Sequence, residues 1–321
     1  MNVEEVRNLL PESSCQYFDD IRYSRVLGAN RHIEMIGDMI ASIAIHEDST
    51  AQIIDKTLEL AKYFKAVRGS QSRAVYNAIN YMINGLDQMR LQEYNQVKSF
   101  LIERLNSYFH KAEEDIAKII EYANNVCEQY DSIMVFDYSS TLNKFILNAN
   151  KKMNVYIAES RALDGGRPFV EGSLKAEHNT YFFPDSTMFE VLKKCQAAFI
   201  GAETFYPNGT VFNTIGSDIL AVLCEHLNKP LYALTPMIKV DTRNIQGHTR
   251  LSPMPYDFSQ KIALHWEEEI KKKVNFDGIK LLEIEPKYLR AIITEKGVIP
   301  PYAMFTIALE YAKNLEGDSY V

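Results

Sequence analysis

Residues 131–141 of the 321-residue chain read DSIMVFDYSST. Four apolar residues in a row, Ile133 to Phe136, stop at a carboxylate, Asp137, and hydroxyls follow at Ser139, Ser140 and Thr141. An unbroken apolar run of this length fits a strand buried on both faces, and hydroxyls after it fit the start of a helix. The same pattern recurs at Val155-Tyr156-Ile157-Ala158, Tyr181-Phe182-Phe183, Ala197-Ala198-Phe199-Ile200 and Leu231-Tyr232-Ala233-Leu234. Helical periodicity fills the intervals over 142–150, 186–194 and 217–227. Strands alternating with helices predict an α/β fold: a parallel sheet covered on both faces. Ligands of such sheets bind beyond the carboxyl ends of the strands. The informative residues are therefore Asp137 to Ser140, Glu159-Ser160-Arg161, Pro184-Asp185-Ser186, Gly201-Ala202-Glu203 and Thr235-Pro236.

Upstream of this region the texture is helical. Ile33, Ile36, Ile40, Ile43 and Ala44 share one helical face; Ile53, Ile54, Leu58, Leu60, Ala61 and Phe64 make a second helix, and Ala74, Val75, Ala78, Ile79 and Met82 a third. The run over 91–124 predicts one long helix, or two with a break near Tyr108. The expected organisation is a helical domain over 1–125 and an α/β domain over 126–321. The stretches 203–216 and 241–258 are expected to be the long loops.

Composition narrows the function classes. The chain carries 35 Lys and Arg against 42 Asp and Glu, a net charge of −7. That balance excludes a global basic field of the kind that coats nucleic acid, while a local anion site of a few basic side chains stays open. The four cysteines, Cys15, Cys127, Cys195 and Cys224, form no CxxC pair and have neither zinc nor redox spacing. His178, His226, His248 and His265 do not cluster at ligand spacing, and no metal or organic cofactor is implied. The opening MNVEEVRNLLPESS is acidic and lacks an apolar core, and no window approaches a membrane span. A cytoplasmic protein with no membrane and no direct nucleic-acid partner is expected.

The strand ends are chemically rich. Asp137 with the hydroxyls after it has two readings: N-capping, which needs no ligand, and an anion site at a helix start. Asp185-Ser186 opens the next helix and reads first as a cap. Arg161 and Arg167 bracket Gly165-Gly166, so this loop either folds over a phosphate or is a solvated surface loop. Glu203 directly follows a buried strand. Two carboxylates brought together make an acid/base pair by driving their pKa values apart; held separately they are ordinary solvated or paired groups. No GxGxxG opens a helix and no GxxxxGK[ST] occurs, which leaves dinucleotide and P-loop readings weak.

Read in order, these loops resemble one family: the alpha, beta and delta subunits of translation initiation factor 2B with methylthioribose-1-phosphate isomerase and ribose-1,5-bisphosphate isomerase. The resemblance is carried by VYIAESRALDGGR (155–167), Pro184-Asp185-Ser186, FIGAETFYPNGTVFNTIGS (199–217), HLNKPLYALTPMIKVDTR (226–243) and IITEKGVIPP (292–301). Upstream, Val67-Arg68-Gly69-Ser70 resembles the family's arginine segment, and LGANRHI (27–33) its glycine loop RGAGRIG. The resemblance covers roughly residues 25–305. It implies an N-terminal helical domain, a C-terminal Rossmann-like doubly wound domain, a sugar-phosphate pocket between them and a homodimer.

The family's isomerases use a cysteine after the first strand and the aspartate of a GAD motif; those positions hold Asp137 and Glu203 here. The lysine of the NKIG motif is absent, since Asn213-Thr214 stands there, and Leu27 replaces the arginine of RGA, while Arg31 matches the second arginine. Two expectations follow. In the first, the protein isomerises a phosphorylated, pentose-type aldose. Asp137 and Glu203 transfer protons, and Arg31, Arg68, Ser139, Ser140, Arg161, Asn213 and Lys239 hold phosphate and hydroxyls. In the second, it is a non-catalytic subunit resembling factor 2B, sensing a sugar phosphate or nucleotide monophosphate among translation-factor subunits.

Overall fold

The computed structural model describes residues 2–26, 28–246 and 255–316. It divides into two compact units. The first comprises residues 1–114, 238–240 and 310–321, and the second residues 115–237 and 241–309. The dividing line at Glu114 falls inside a single helix, ahead of the domain boundary expected between residues 125 and 126.

The first unit is helical. Its elements are α1 (Val3–Arg7), α2 (Glu12–Arg22), α3 (Ala29–His46), α4 (Thr50–Val67), α5 (Arg73–Ile83) and the opening turns of α6 (Tyr94–Cys127). α3 is central, with α2, α4 and α5 packed on it. Met35, Ile36, Met39, Ile40 and Ile43 recur three and four apart along α3 and are all buried. Each such side chain contributes about 1.5–3 kcal/mol of burial. Local signals fix the ends. The Ser49 hydroxyl accepts the Gln52 amide hydrogen at 3.2 Å and caps α4. α4 stops at Arg68 and Gly69; a Cβ on Gly69 would lie 2.6 Å from the Lys65 carbonyl oxygen. α6 runs unbroken through Tyr108, so of the two expectations for 91–124 the single helix holds.

The second unit is built on a seven-stranded sheet. Its strands are β1 (Ser132–Phe136), β2 (Asn154–Ala158), β3 (Asn179–Phe183) and β4 (Ala197–Ile200). After a small sheet of β5 (Thr204–Phe205) and β6 (Val211–Thr214) come β7 (Leu231–Leu234), the pair β8 (Pro255–Asp257) and β9 (Asp277–Ile279), and β10 (Leu281–Ile284). Last are β11 (Ala291–Thr294) and β12 (Gly297–Ile299). The main sheet has the order β12-β11-β7-β4-β1-β2-β3, parallel throughout except the β11–β12 hairpin. β1 is buried along its whole length, as an inner strand covered on both faces requires. The helices between strands are α7 (Ser140–Leu147), α8 (Arg167–Lys175), α9 (Met188–Leu192) and α10 (Ser217–His226). The short α11 (Ser259–Ile262) and α12 (Glu268–Lys271) precede β9, and α13 (Met304–Glu316) follows the hairpin.

One expectation changes. The stretch 203–216 is not a loop: β5 and β6 pair antiparallel with each other, and β6 with β10. Of the other expected loop, residues 247–254 and with them His248 lie outside the described residues. His178 lies in the connection between α8 and β3, where the sequence puts it near a loop, and is a buried brace there. Its Nδ1 accepts the Met153 amide hydrogen at 3.2 Å, and its Nε2 donates to the Ile146 carbonyl at 2.9 Å.

Candidate active site

The strand order locates the site. The chain builds β1, β2 and β3 in one direction, then returns to place β4, β7 and β11 on the other side of β1. The crevice of a doubly wound sheet opens at that reversal, between the carboxyl ends of β1 and β4. Phe136 and Ile200 are register partners, so the two loops leave the sheet side by side. They touch: a Cβ on Gly201 would sit 2.4 Å from the Ser139 Cβ, so only glycine fits there. Ser139 spends its hydroxyl locally, accepting the Leu142 amide hydrogen at 3.3 Å as the N-cap of α7, and Ser140 is the first residue of that helix. The capping reading therefore accounts for Ser139.

Asp137 is the centre of the cluster. It is 7% exposed and takes a left-handed backbone, φ 56°, where the chain turns out of β1. Its Oδ1 accepts the Ser160 hydroxyl at 3.0 Å and its Oδ2 the Thr214 hydroxyl at 2.6 Å. Burial pushes the Asp137 carboxyl above its ordinary value, opposed by the Thr214 and Ser160 hydroxyls, the Tyr138 amide and the Lys280 charge. Lys280, between β9 and β10, is a functional candidate that no sequence motif singles out.

The neighbouring loops are arranged around this carboxyl. Ser160 and Asp164 also have left-handed backbones, φ 50° and 56°, so three non-glycine residues of this conformation flank the ends of β1 and β2. Strain of this kind costs about 1–3 kcal/mol per residue and persists where the surroundings over-determine it. Asp185 supplies part of that determination. Its carboxylate accepts the Ser160 amide at 2.9 Å and the Arg161 amide at 2.8 Å. It makes no side-chain bond to its own short helix, so it braces the β2 loop instead of capping. Gly165 and Gly166 are not a flexible flap. A Cβ on Gly165 would lie 2.1 Å from the Asp137 Oδ1, and one on Gly166 1.9 Å from the Ala158 carbonyl oxygen. Arg167 opens α8 and pairs with Glu171 at 3.2 Å. Arg161 is exposed, 3.7 Å from Asp164, which also pairs with Lys261.

Glu203 is anchored by its backbone, whose N–H donates to the Phe212 carbonyl at 2.9 Å. Phe212 and Thr214 lie two apart on β6, so Glu203 and Asp137 are both tied to this strand, one by main chain and one by side chain. The Glu203 carboxylate is half-buried and has no hydrogen-bond partner among the described residues. Asn213 is 6% exposed and its Nδ2 has no partner among the described residues. It follows strand alternation onto the face of β6 opposite Thr214, away from the Asp137 contact. Asp137, Ser160 and Thr214 are thus brought together, and Asn213 is not among them.

The remaining cations belong to the first unit. Arg31, on α3, pairs with Glu34 at 2.8 Å on a half-exposed face. Arg68 closes α4, donating from Nε to the His32 Nδ1 at 3.1 Å and from Nη1 to the Gln71 Oε1 at 2.5 Å. Lys239 ends a short 3-10 helix, Met237–Lys239, and falls with the first unit. Nothing local in the sequence marks His32 or Arg73 as polar groups of interest; Arg73 opens α5 with its guanidinium 4.1 Å over the Tyr76 ring.

Chemically, the second unit offers a buried carboxyl biased toward its protonated form, the Ser160 and Thr214 hydroxyls on it, and a half-buried carboxylate. Among the described residues no group of three metal-ligating side chains gathers, and no helix is long and apolar enough to cross a membrane.

Comparison with known proteins agrees with the fold and the motifs. A ribose 1,5-bisphosphate isomerase of Archaeoglobus fulgidus is 24% identical over 305 residues, 92% of this chain and 93% of that protein. Among solved structures, 5-methylthioribose 1-phosphate isomerase of Pyrococcus horikoshii superposes with a TM-score of 0.73 at 17% identity, covering 97% of this chain and 88% of the other. The translation initiation factor eIF-2B of the same organism gives 0.71 at 20% identity, covering 91% and 98%. The sequence model of the Initiation factor 2 subunit family matches residues 28–301, and the chain belongs to that family.

Proposed function

We propose that this family member is an isomerase converting an aldose 1-phosphate to a ketose phosphate, with Asp137 as acid and Glu203 as base. The observation that carries the reading is Asp137: a buried carboxyl, raised above its ordinary value, at the reversal of the sheet. The relative named ribose 1,5-bisphosphate isomerase supports the substrate class.

The reaction needs a proton at the ring oxygen as the bond from C1 to that oxygen breaks. The electron pair of that bond goes to the oxygen, which takes the Asp137 proton. A hydrogen moves with its electron pair from C2 to C1, and the C2 hydroxyl proton leaves to Glu203 as the C2 carbonyl forms. One proton enters and one leaves, so the product is an isomer of the substrate. Thr214 serves both states of Asp137, because a hydroxyl donates to the carboxylate and accepts from the acid. Ser160 fixes the second oxygen, which orients the carboxyl.

A second reading, a subunit that binds a sugar phosphate without turning it over, is favoured by one observation. Both Asp137 oxygens already accept hydroxyl hydrogen bonds, as a structural carboxylate would. Incubating the protein with ribose 1,5-bisphosphate, methylthioribose 1-phosphate, deoxyribose 1-phosphate and ribose 1-phosphate, followed by phosphorus and proton NMR, separates the two. Ketose formation that disappears in Asp137→Asn is the expected result. Saturable binding with no turnover across the panel would replace the isomerase reading with the regulatory one.

A further inference from the structure

His32 is a buried histidine outside the proton-transfer scheme, and its two ring nitrogens have different partners. It is the fourth residue of α3 and is 2% exposed. Its Nε2 lies 2.8 Å from the Val26 carbonyl oxygen, and its Nδ1 faces the Arg68 Nε at 3.1 Å. A carbonyl only accepts, so Nε2 carries the hydrogen. Arginine only donates, so Nδ1 presents its lone pair. The two contacts together require a neutral imidazole in one tautomer.

We propose that His32 is a positioning residue for Arg68: the neutral ring holds the guanidinium by Nε in the orientation that grips a phosphate-type anion, and protonation of the ring releases it. The proposal rests on the reading of this protein as a sugar-phosphate binder. Gln71 fixes the guanidinium from a second side, at Nη1. Ser72, the N-cap of α5, has a hydroxyl that is buried without a partner among the described residues, in a residue only 5% exposed.

The charges on the elements around His32 are mostly engaged elsewhere. On α3, Arg31 is paired with Glu34, and Asp38 lies further along. On α2, which packs against α3, Asp19 is paired with Arg7 and Arg22 with Glu4. On α5, Arg73 sits over Tyr76 and donates to Asn77. From the end of α4 comes Arg68, the charge that acts on the ring. Burial first, and Arg68 after it, push the His32 pKa below its ordinary value, against the Val26 carbonyl. The ring is therefore neutral at physiological pH. Once acid protonates the ring, the proton on Nδ1 points one N–H at another and sets two positive charges in contact.

Sulfate is the probe, because its charge is constant where phosphate titrates. Calorimetry on the full chain, run from about pH 8 down to the pH at which nitrogen NMR shows the ring charged, should show sulfate affinity falling about tenfold, the scale of one charge-assisted hydrogen bond. His32→Gln, whose amide oxygen accepts from Arg68 and does not titrate, should lose most of that pH dependence, whereas His32→Leu should bind weakly at both values. Equal pH slopes in wild type and His32→Gln would overturn the proposal. Nitrogen NMR of the imidazole reads the contact without any anion. The Nε2–H tautomer is expected, with a pKa that rises in Arg68→Gln; a pKa unmoved by that substitution would also overturn it. Wild type that binds no sulfate at either pH, while the His32 pKa still responds to Arg68→Gln, would uphold the positioning contact and overturn the anion reading beneath it.

Discussion

Arg31 on α3 and Asp137 after β1 are both ionisable, and the two units treat them in opposite ways. Arg31 sits on a regular helix, half-exposed, paired with a glutamate three residues on. Asp137 is buried, left-handed at the backbone, and held by hydroxyls 23 and 77 residues away in sequence. The charge of the first unit is placed by local helix geometry. The carboxyl of the second is placed by long-range contacts that exist only when the whole sheet unit is folded. A group of the first kind can be altered at little cost to the fold, while a group of the second kind is coupled to fold and chemistry together.

Four substitutions probe that contrast. The largest effect is expected for Asp137→Asn, which keeps the shape and removes the titrating proton. Turnover should fall by about 10²–10⁴, the range for losing a general acid, in the NMR assay of ketose formation. Stability should move the other way. The folded pKa of Asp137 lies above its unfolded value, so the stability it contributes is present below the unfolded value of 3.8 and is lost as pH rises through the folded one. The asparagine variant escapes that loss, and thermal melts should place it above wild type at neutral pH with the gap closing in acid. A variant less stable than wild type at neutral pH would contradict a carboxyl disfavoured by its burial.

Gly166→Ala comes next. Its backbone is ordinary, φ −76°, so the effect isolates the clash with the Ala158 carbonyl. We predict a loss of about 3 kcal/mol in denaturant titrations followed by circular dichroism, the upper end for overpacking. A change under about 1 kcal/mol would mean that the loop beside Asp137 is softer than its close approach implies.

Thr214→Val should cost about 2 kcal/mol, because it leaves one oxygen of a buried carboxyl without its donor. It should also raise the Asp137 pKa further, since the Thr214 hydroxyl lowers it. The smallest effect is expected at Arg31→Ala, no more than about 0.5 kcal/mol, because a half-exposed helix pair is worth no more than that. A larger loss there, in the same denaturant titrations, would erase the contrast between the units.

What can be read from the sequence divides along the same line. The strands of the main sheet up to β7 are legible because unbroken apolar runs are buried on both faces, and the placement of ligands at their carboxyl ends then follows from parallel-sheet rules. Asp137 and Glu203 are legible as strand-end carboxylates. The long-range side-chain pairs are not. Thr214 reaches Asp137 across 77 residues and Arg68 reaches His32 across 36, and no local pattern encodes either pair. Asp185 reads as a cap, since an aspartate at a helix start usually is one, yet its carboxylate bonds two amides of the neighbouring strand's loop. Gly165 and Gly166 read as flexible because glycine permits flexibility; here the missing Cβ instead admits Asp137 and the Ala158 carbonyl. β6 hides among turn residues, Asn208-Gly209 before it and Gly216 after, and its pairing with β10 is tertiary.

Everything assigned to Asp137 depends on its keeping its proton longer than an ordinary aspartate does. Infrared difference spectra between wild type and Asp137→Asn, recorded across a pH titration, read the carboxyl C=O band of this one residue. A protonated Asp137 band that persists above the ordinary value of 3.8 is expected. A band that titrates at or below that value would contradict the burial-raised carboxyl, and with it the assignment of Asp137 as the acid.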